Sequence, residues 1–271
     1  MSPTDNKVTG LFVLGNSGVG KTLLVNIMLG ENKYVHEESV TSVTSNTEST
    51  TGHGYQIFNI PGLIEADQQL IERNKREIER AFQQCPNSRI LFVCAGGVGG
   101  RLQDQDVVAY KALAQAYKFN PRSVVFIMNR LTKKSSKSAE FRTKAIDLLR
   151  KMLELPHSVT DKQFVFVANI AEDEVNNFES EDHQTIYASI AVAIEATEPA
   201  VHVKTQEVRL LSDEITRLKD VAAQQQNQFI QWQKENKAEM ERMTQRYENQ
   251  MAELNRALEQ AKKRRRRCII C

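Results

Sequence analysis

Residues 15–22 read Gly-Asn-Ser-Gly-Val-Gly-Lys-Thr, an eight-residue G-x-x-x-x-G-K-T pattern. An apolar run, Leu11-Phe12-Val13-Leu14, leads into it, and residues 23–29 open a helix behind it. That order of strand, glycine-rich loop and helix is the phosphate-binding loop of nucleoside triphosphatases. Gly15, Gly18 and Gly20 let the chain curl until the N–H groups of Asn16, Ser17, Val19 and their neighbours face inward. The helix behind adds its positive N-terminal end, so the concavity favours phosphate. Lys21 is placed to reach the β- and γ-phosphates, and the hydroxyl of Thr22 to ligate Mg2+.

Other residues complete such a site. The segment 31–54 is polar, rich in Ser and Thr, and without lasting periodicity. It reads as a long loop, and long loops in compact domains are usually functional. A hydroxyl there would ligate Mg2+ and sense the γ-phosphate. Thr44 is the choice, with Thr41 and Thr47 as rivals. A strand over residues 55–60 ends in Asn59-Ile60-Pro61-Gly62, where nucleotide switches carry D-x-x-G. Gly62 fits a backbone contact to the γ-phosphate. Asn59 brings an oxygen but no charge, which predicts a weakened Mg2+ site. Leu63 stands where Ras-like enzymes place a water-orienting Gln, so hydrolysis is expected to be slow. Farther on, Asn129-Arg130-Leu131-Thr132 occupies the place of the guanine-reading N-K-x-D. Asn129 could support the base and the stem of Arg130 could lie along it. Thr132 lacks the paired acceptors of a carboxylate, so an ATP-binding protein stays open as an alternative. Asn169 is a candidate second base contact.

The elements that must hold these residues alternate. Apolar runs over 89–95, 123–128 and 163–168 read as buried strands, and 67–84, 104–118, 138–153 and 182–196 as helices. The expectation is an α/β P-loop domain over residues 1–200, with a mostly parallel sheet, helices on both faces, and ligand at the carboxyl ends of the strands. From about residue 201 the pattern changes. Leu211, Ile215, Leu218 and Ala222, then Tyr247, Met251, Leu254, Leu258 and Ala261, follow an interrupted coiled-coil seam. With no Pro or Gly after Val201, one long helix over 201–261 is expected, with a possible coiled-coil partner.

The phosphate loop, Ser42-Val43-Thr44, the Pro61-Gly62 turn and the run Gly99-Gly100-Arg101-Leu102-Gln103-Asp104-Gln105-Asp106 together resemble the immunity-associated GTPases, the avirulence-induced-gene family. That family carries a box of the form L-G-R-x-T-x-E-D here, which Gly100, Arg101 and Asp106 match. The resemblance covers about residues 8–200. It implies a septin-like G domain binding GTP and GDP, assembly into a homodimer or oligomer through the G-domain face, and attachment to intracellular membranes. It also implies that Arg101 acts across a dimer as an arginine finger, which with Lys21 of the phosphate loop and Thr44 of the switch loop makes the expected catalytic set. Departures are Asn59, Thr132, Gly99, Gln103 and Gln105.

The tail adds a separate signal. Residues 262–267 are six consecutive cations, followed by Cys268-Ile269-Ile270-Cys271. A C-a-a-X ending behind a basic run predicts lipidation of Cys268 and binding to an anionic membrane surface. Half of a zinc site, a nuclear address and a solvated helix end are the competing readings of residues 262–271. The chain is 271 residues long with net charge +2, so outside those six cations it carries four excess negative charges. An acidic body argues against nucleic-acid binding through the domain. The N-terminus has no hydrophobic leader and Ser2 replaces the glycine that myristoylation needs, so a cytoplasmic protein at the cytosolic face of a membrane is expected. Two functions compete: a membrane-tethered switch with slow GTP hydrolysis stimulated by assembly, or a nucleotide-stabilised coiled-coil scaffold.

Overall fold

The computed structural model describes residues 9–34, 47–64, 68–96, 101–171, 174–209 and, beyond these, 231, 240, 242–244, 246–247 and 251. In chain order the elements are β1 (Thr9–Gly15), α1 (Lys21–Leu29), β2 (Glu48–Gly52), β3 (Tyr55–Asn59), α2 (Gln68–Gln84), β4 (Asn87–Ala95) and α3 (Asp104–Tyr117). They continue with β5 (Val124–Leu131), α4 (Lys133–Lys137), α5 (Ala139–Leu153), β6 (Phe164–Ala168), α6 (Glu181–Glu195) and β7 (Ala200–Val201).

Six strands run in the order β2-β3-β1-β4-β5-β6, and β7 pairs with the start of β4. Neighbours from β3 to β6 are parallel, while β2 and β7 are antiparallel additions. Strict alternation of side chains sorts the core. Phe12, Phe58, Phe92 and Phe126 face α2, α3 and α5, whereas Leu11, Val13, Leu91, Val93, Val125 and Ile127 face α1 and α6. Because both faces are covered, the central strands are apolar throughout, which made them readable as runs. The helices start on local caps: Ser138 accepts from the Phe141 N–H at 3.2 Å and Ser180 from the His183 N–H at 3.3 Å.

Two expectations fail. The loop expected over 31–54 ends in a strand, β2, paired antiparallel with β3. Its sequence, Glu-Ser-Thr-Thr-Gly, offers no apolar alternation because it is the sheet's edge. The strand exists through its ladder and through the two-residue turn His53-Gly54, whose φ values of 51° and 79° suit the twist of a hairpin. The helix expected from 201 also starts later, since residues 202–209 are not helical. The His202 N–H donates to the Pro86 carbonyl at 2.9 Å and the Thr205 N–H to that of Ala116 at 2.8 Å. Lys204 bridges Glu79 and Glu207, and Val208 is 3% exposed. The segment is a strap on the α/β domain, so that domain extends past residue 200.

The chain divides into two units, Met1–Lys219 and Asp220–Cys271. In the second, every described residue is helical, and Met240, Met243, Tyr247 and Met251 are exposed. Cys268 and the first seam residues from Leu211 to Ala222 lie outside the described residues. Among the described residues no helix is long and apolar enough to cross a membrane.

Candidate functional site

The carboxyl ends of β1, β3, β4 and β5 converge on the loop 15–22. Lys21, only 6% exposed, folds its Nζ back to donate to the Asn16 carbonyl at 2.7 Å, which pulls the loop into a closed ring. Gly20 adopts φ 90°, left-handed backbone that favours glycine, and a Cβ there would overlap the Asn129 amide. Asn129 itself sits at the end of β5, 6% exposed, and donates its Nδ2 to the Val19 carbonyl at 2.9 Å. The segment expected to read the base thus also braces the loop expected to hold the phosphates.

The Asn59-Gly62 segment closes the other side. The Gly62 backbone lies directly on the phosphate loop: a Cβ there would run into the Ser17 N–H and stand 2.8 Å from the Asn16 carbonyl carbon. No other residue tolerates that approach without moving one of the two strands' loops. Asn74 of α2, wholly buried, fixes Gly62 by donating to its carbonyl at 2.6 Å. Leu63 is 1% exposed and packs into the core beneath, so the residue after Gly62 presents nothing polar to the site.

Asn16 is the hub. Its Nδ2 donates to Asp106 Oδ1 at 2.7 Å, and its Oδ1 accepts from the Ile64 N–H at 3.3 Å. The second oxygen of Asp106 accepts from the Ala95 N–H at 3.0 Å. One carboxylate in the first turn of α3 therefore ties together the phosphate loop, the end of β4 and, through Asn16, the residue after Leu63. Burial pushes the Asp106 carboxyl up to about 6, against the opposing pull of the Ala95 N–H, the Asn16 amide and the Lys21 charge. From the sequence, Asp106 stands out only as part of the family box. A signal was present, since Asp106 shares a helical stripe with Ala109, Tyr110 and Leu113, all buried.

Asn59 is fully buried, donating its Nδ2 to Thr22 Oγ1 at 3.3 Å and to Glu48 Oε2 at 3.2 Å. Its Oδ1 is buried and has no hydrogen-bond partner among the described residues. The Thr22 hydroxyl and the Glu48 carboxylate thus lie on one arm of the Asn59 amide beside the phosphate loop, two oxygens of the kind a hard cation takes. Of the loop hydroxyls, Thr44 and Thr41 lie outside the described residues. Thr47 turns to α2, its N–H donating to Glu77 Oε2 at 3.0 Å and its hydroxyl to the Glu77 carbonyl at 3.3 Å.

At the base end, Arg130 is exposed with φ 60°, in a break of the β5–β6 register. Thr132 caps α4: its Oγ1 accepts from the Ser135 N–H at 3.1 Å and donates to Ser135 Oγ at 2.9 Å. Asn169 is exposed, and its N–H donates to the Leu131 carbonyl at 2.7 Å, which ties the backbone after β6 to the end of β5. Arg101 is exposed just before α3. Asn129, Gly62, Asn59 and the loop 15–22 are brought together; Arg101, Arg130 and Asn169 lie outside the hydrogen-bonded cluster.

Residues 11–130 match the family described as 50S ribosome-binding GTPase. With the sheet order and the phosphate loop, that match gives these residues the α/β fold of P-loop GTPases, built on a mostly parallel sheet. Similar solved structures include Toc33 from Arabidopsis thaliana in complex with GDP and Mg2+, at 22% identity and TM-score 0.47, covering 73% of this chain and 88% of that one. A dimerization-deficient mutant of Toc33 matches at 19% identity and TM-score 0.49, with the same coverage of 73% and 88%. A probable GTP-binding protein EngB matches at 18% identity and TM-score 0.44, covering 69% of this chain and 99% of that one. No curated protein matches the chain.

Proposed function

We propose that the protein is a guanine-nucleotide switch whose G domain binds GTP and GDP with Mg2+. The observation that carries this is the Asn129 amide holding the Val19 carbonyl at 2.9 Å, which couples the base end of the site to the phosphate loop. Thr22 and Asn59 are the residues suited to hold Mg2+, which would supply charge neutralisation at the phosphates. Lys21 would neutralise the β- and γ-phosphates once drawn from the Asn16 carbonyl, and Gly62 would meet the γ-phosphate through its backbone.

Turnover by the isolated domain is slow, because the buried Leu63 leaves no side chain after Gly62 to orient water. Exposed Arg101 is free of the core and available to a second copy, which supports an assembly-stimulated switch of the immunity-associated type. In this reading Thr44 senses the γ-phosphate, and Arg130 and Asn169 flank the base. Lipidated Cys268, with the six cations before it, anchors the protein at the cytosolic face of an anionic membrane.

One observation favours a second reading. Met240, Met243, Tyr247 and Met251 form an exposed apolar stripe at helical spacing. Such a stripe suits a coiled-coil scaffold in which nucleotide is structural. Titration of the protein with fluorescent GTP, GDP and ATP, followed by hydrolysis assays over a range of protein concentration, separates the readings. Guanine binding that excludes ATP, with turnover per molecule rising with concentration, supports the switch. Oligomers unaffected by nucleotide, without turnover, support the scaffold. Equal ATP binding overturns the guanine assignment.

A further inference from the structure

The negative charge that Asn59 lacks stands across the ladder from it. β2 and β3 pair in a register that sets Glu48 opposite Asn59, and the short His53-Gly54 turn fixes that register. The Glu48 carboxylate accepts from Asn59 Nδ2 at 3.2 Å, and the same Nδ2 reaches Thr22 Oγ1 at 3.3 Å. Among the described residues Glu48 makes no ion pair, although Lys33 lies close enough to donate to Thr50 on the same strand. The field of Glu48 reaches the Tyr34 hydroxyl, helping burial to hold it protonated. On the other arm of the same amide, Asn59 Oδ1 is a buried acceptor that finds no partner among the described residues. An orphaned buried acceptor costs free energy unless something meets it, and a carboxylate close by makes that something a cation or its water shell.

We propose that Glu48 supplies the carboxylate of the Mg2+ site, in place of the acidic residue that position 59 lacks, with Asn59 as the neutral link between Glu48 and Thr22. The inference rests on the guanine-nucleotide reading and deepens it. It replaces the expectation of a weakened metal site: the charge is kept and moved one strand outward, to the edge of the sheet. It also makes metal binding depend on the β2–β3 pairing. Loss of that pairing would remove the carboxylate from the site, whereas an aspartate at position 59 would stay.

The test uses the full chain loaded with fluorescent GDP. The rate of GDP release is followed while free Mg2+ is titrated, which reads the metal's affinity for the complex without any catalytic turnover. Glu48→Gln keeps the shape and the hydrogen bond to Asn59 but removes the charge. It should raise the Mg2+ midpoint by about tenfold, the effect of one lost charge-assisted contact, while leaving GDP release in excess chelator unchanged. Asn59→Asp placed on Glu48→Gln should restore the midpoint. An unfolding temperature of Glu48→Gln near that of the parent excludes a loss of fold, since Glu48 is exposed. A Mg2+ midpoint unmoved by Glu48→Gln, with GDP still bound, would overturn this inference alone. Failure of the parent protein to bind GDP would overturn the nucleotide reading and this inference with it.

Discussion

Replacing Asp106 with asparagine should change the pH dependence of stability in a direction fixed by burial. Burial raises the folded carboxyl from 3.8 to about 6. The unfolded chain therefore releases this proton first as pH rises. The contribution of Asp106 to stability is greatest below 3.8 and is lost as pH climbs through 6. That shift is worth about 3 kcal/mol, of which roughly two-thirds falls between pH 4.5 and 7. His202 works the other way. Burial lowers it from 6.5 to about 4, so the unfolded chain takes up its proton first as pH falls. Its contribution is present above 6.5 and lost toward 4, again about 3 kcal/mol. In the parent the two nearly cancel. Urea denaturation at pH 4.5 and 7 should show Asp106→Asn gaining about 2 kcal/mol on the parent as pH rises across that interval. A pH-independent penalty of about 1–3 kcal/mol is superimposed, because one amide oxygen cannot accept from both Asn16 and Ala95. His202→Gln should show the opposite trend. A parent-minus-Asp106→Asn difference that stays constant with pH would refute the burial argument for this carboxylate.

Gly62→Ala forces a methyl against the Ser17 backbone and should destabilise the domain by about 1–3 kcal/mol, read as a lowered unfolding midpoint. Asn129→Ala orphans the buried Val19 carbonyl and should weaken labelled-GDP binding by about tenfold or more, checked by fluorescence titration. Thr132→Asp preserves a good cap for α4 while adding a paired acceptor, so competition titrations should show guanine gaining over adenine by about tenfold or more. Val208→Ala in the strap should cost about 1–3 kcal/mol in urea denaturation, a loss expected only if residues 202–209 belong to the G domain.

What could be read from the sequence follows from how local each signal is. The phosphate loop needs only eight consecutive residues and the runs on either side, so Gly15 to Thr22 announced themselves. Strands β1, β4, β5 and β6 were visible because a sheet covered on both faces demands unbroken apolar runs. Helix starts at Ser138 and Ser180 were close to expectation, since a cap acts over three residues. β2 escaped because an edge strand of Glu, Ser and Thr is held by its neighbour's backbone rather than by burial of its own side chains. The strap over 202–209 escaped because its anchors, Pro86, Ala116 and Glu79, lie more than 80 positions away in the chain. The carboxylate beside Asn59 was out of reach for the same reason, since Glu48 comes from a different strand.

The sequence by itself determined the chemistry of the phosphate loop, the alternation of strands and helices, and the substitution of Asn59, Leu63 and Thr132 at positions where other switches are charged or polar. Those are properties of residue type and short spacing, which the chain carries whether folded or not. Tertiary structure decided the partners. It set Glu48 on Asn59 through strand register, Asp106 on Asn16 through the packing of α3 against β1 and β4, and Asn129 on Val19 across 110 residues. Hydrogen bonds at about 3 Å between distant segments exist only after the sheet has brought strand ends together, and buried acids change their proton affinity only once the core has closed around them.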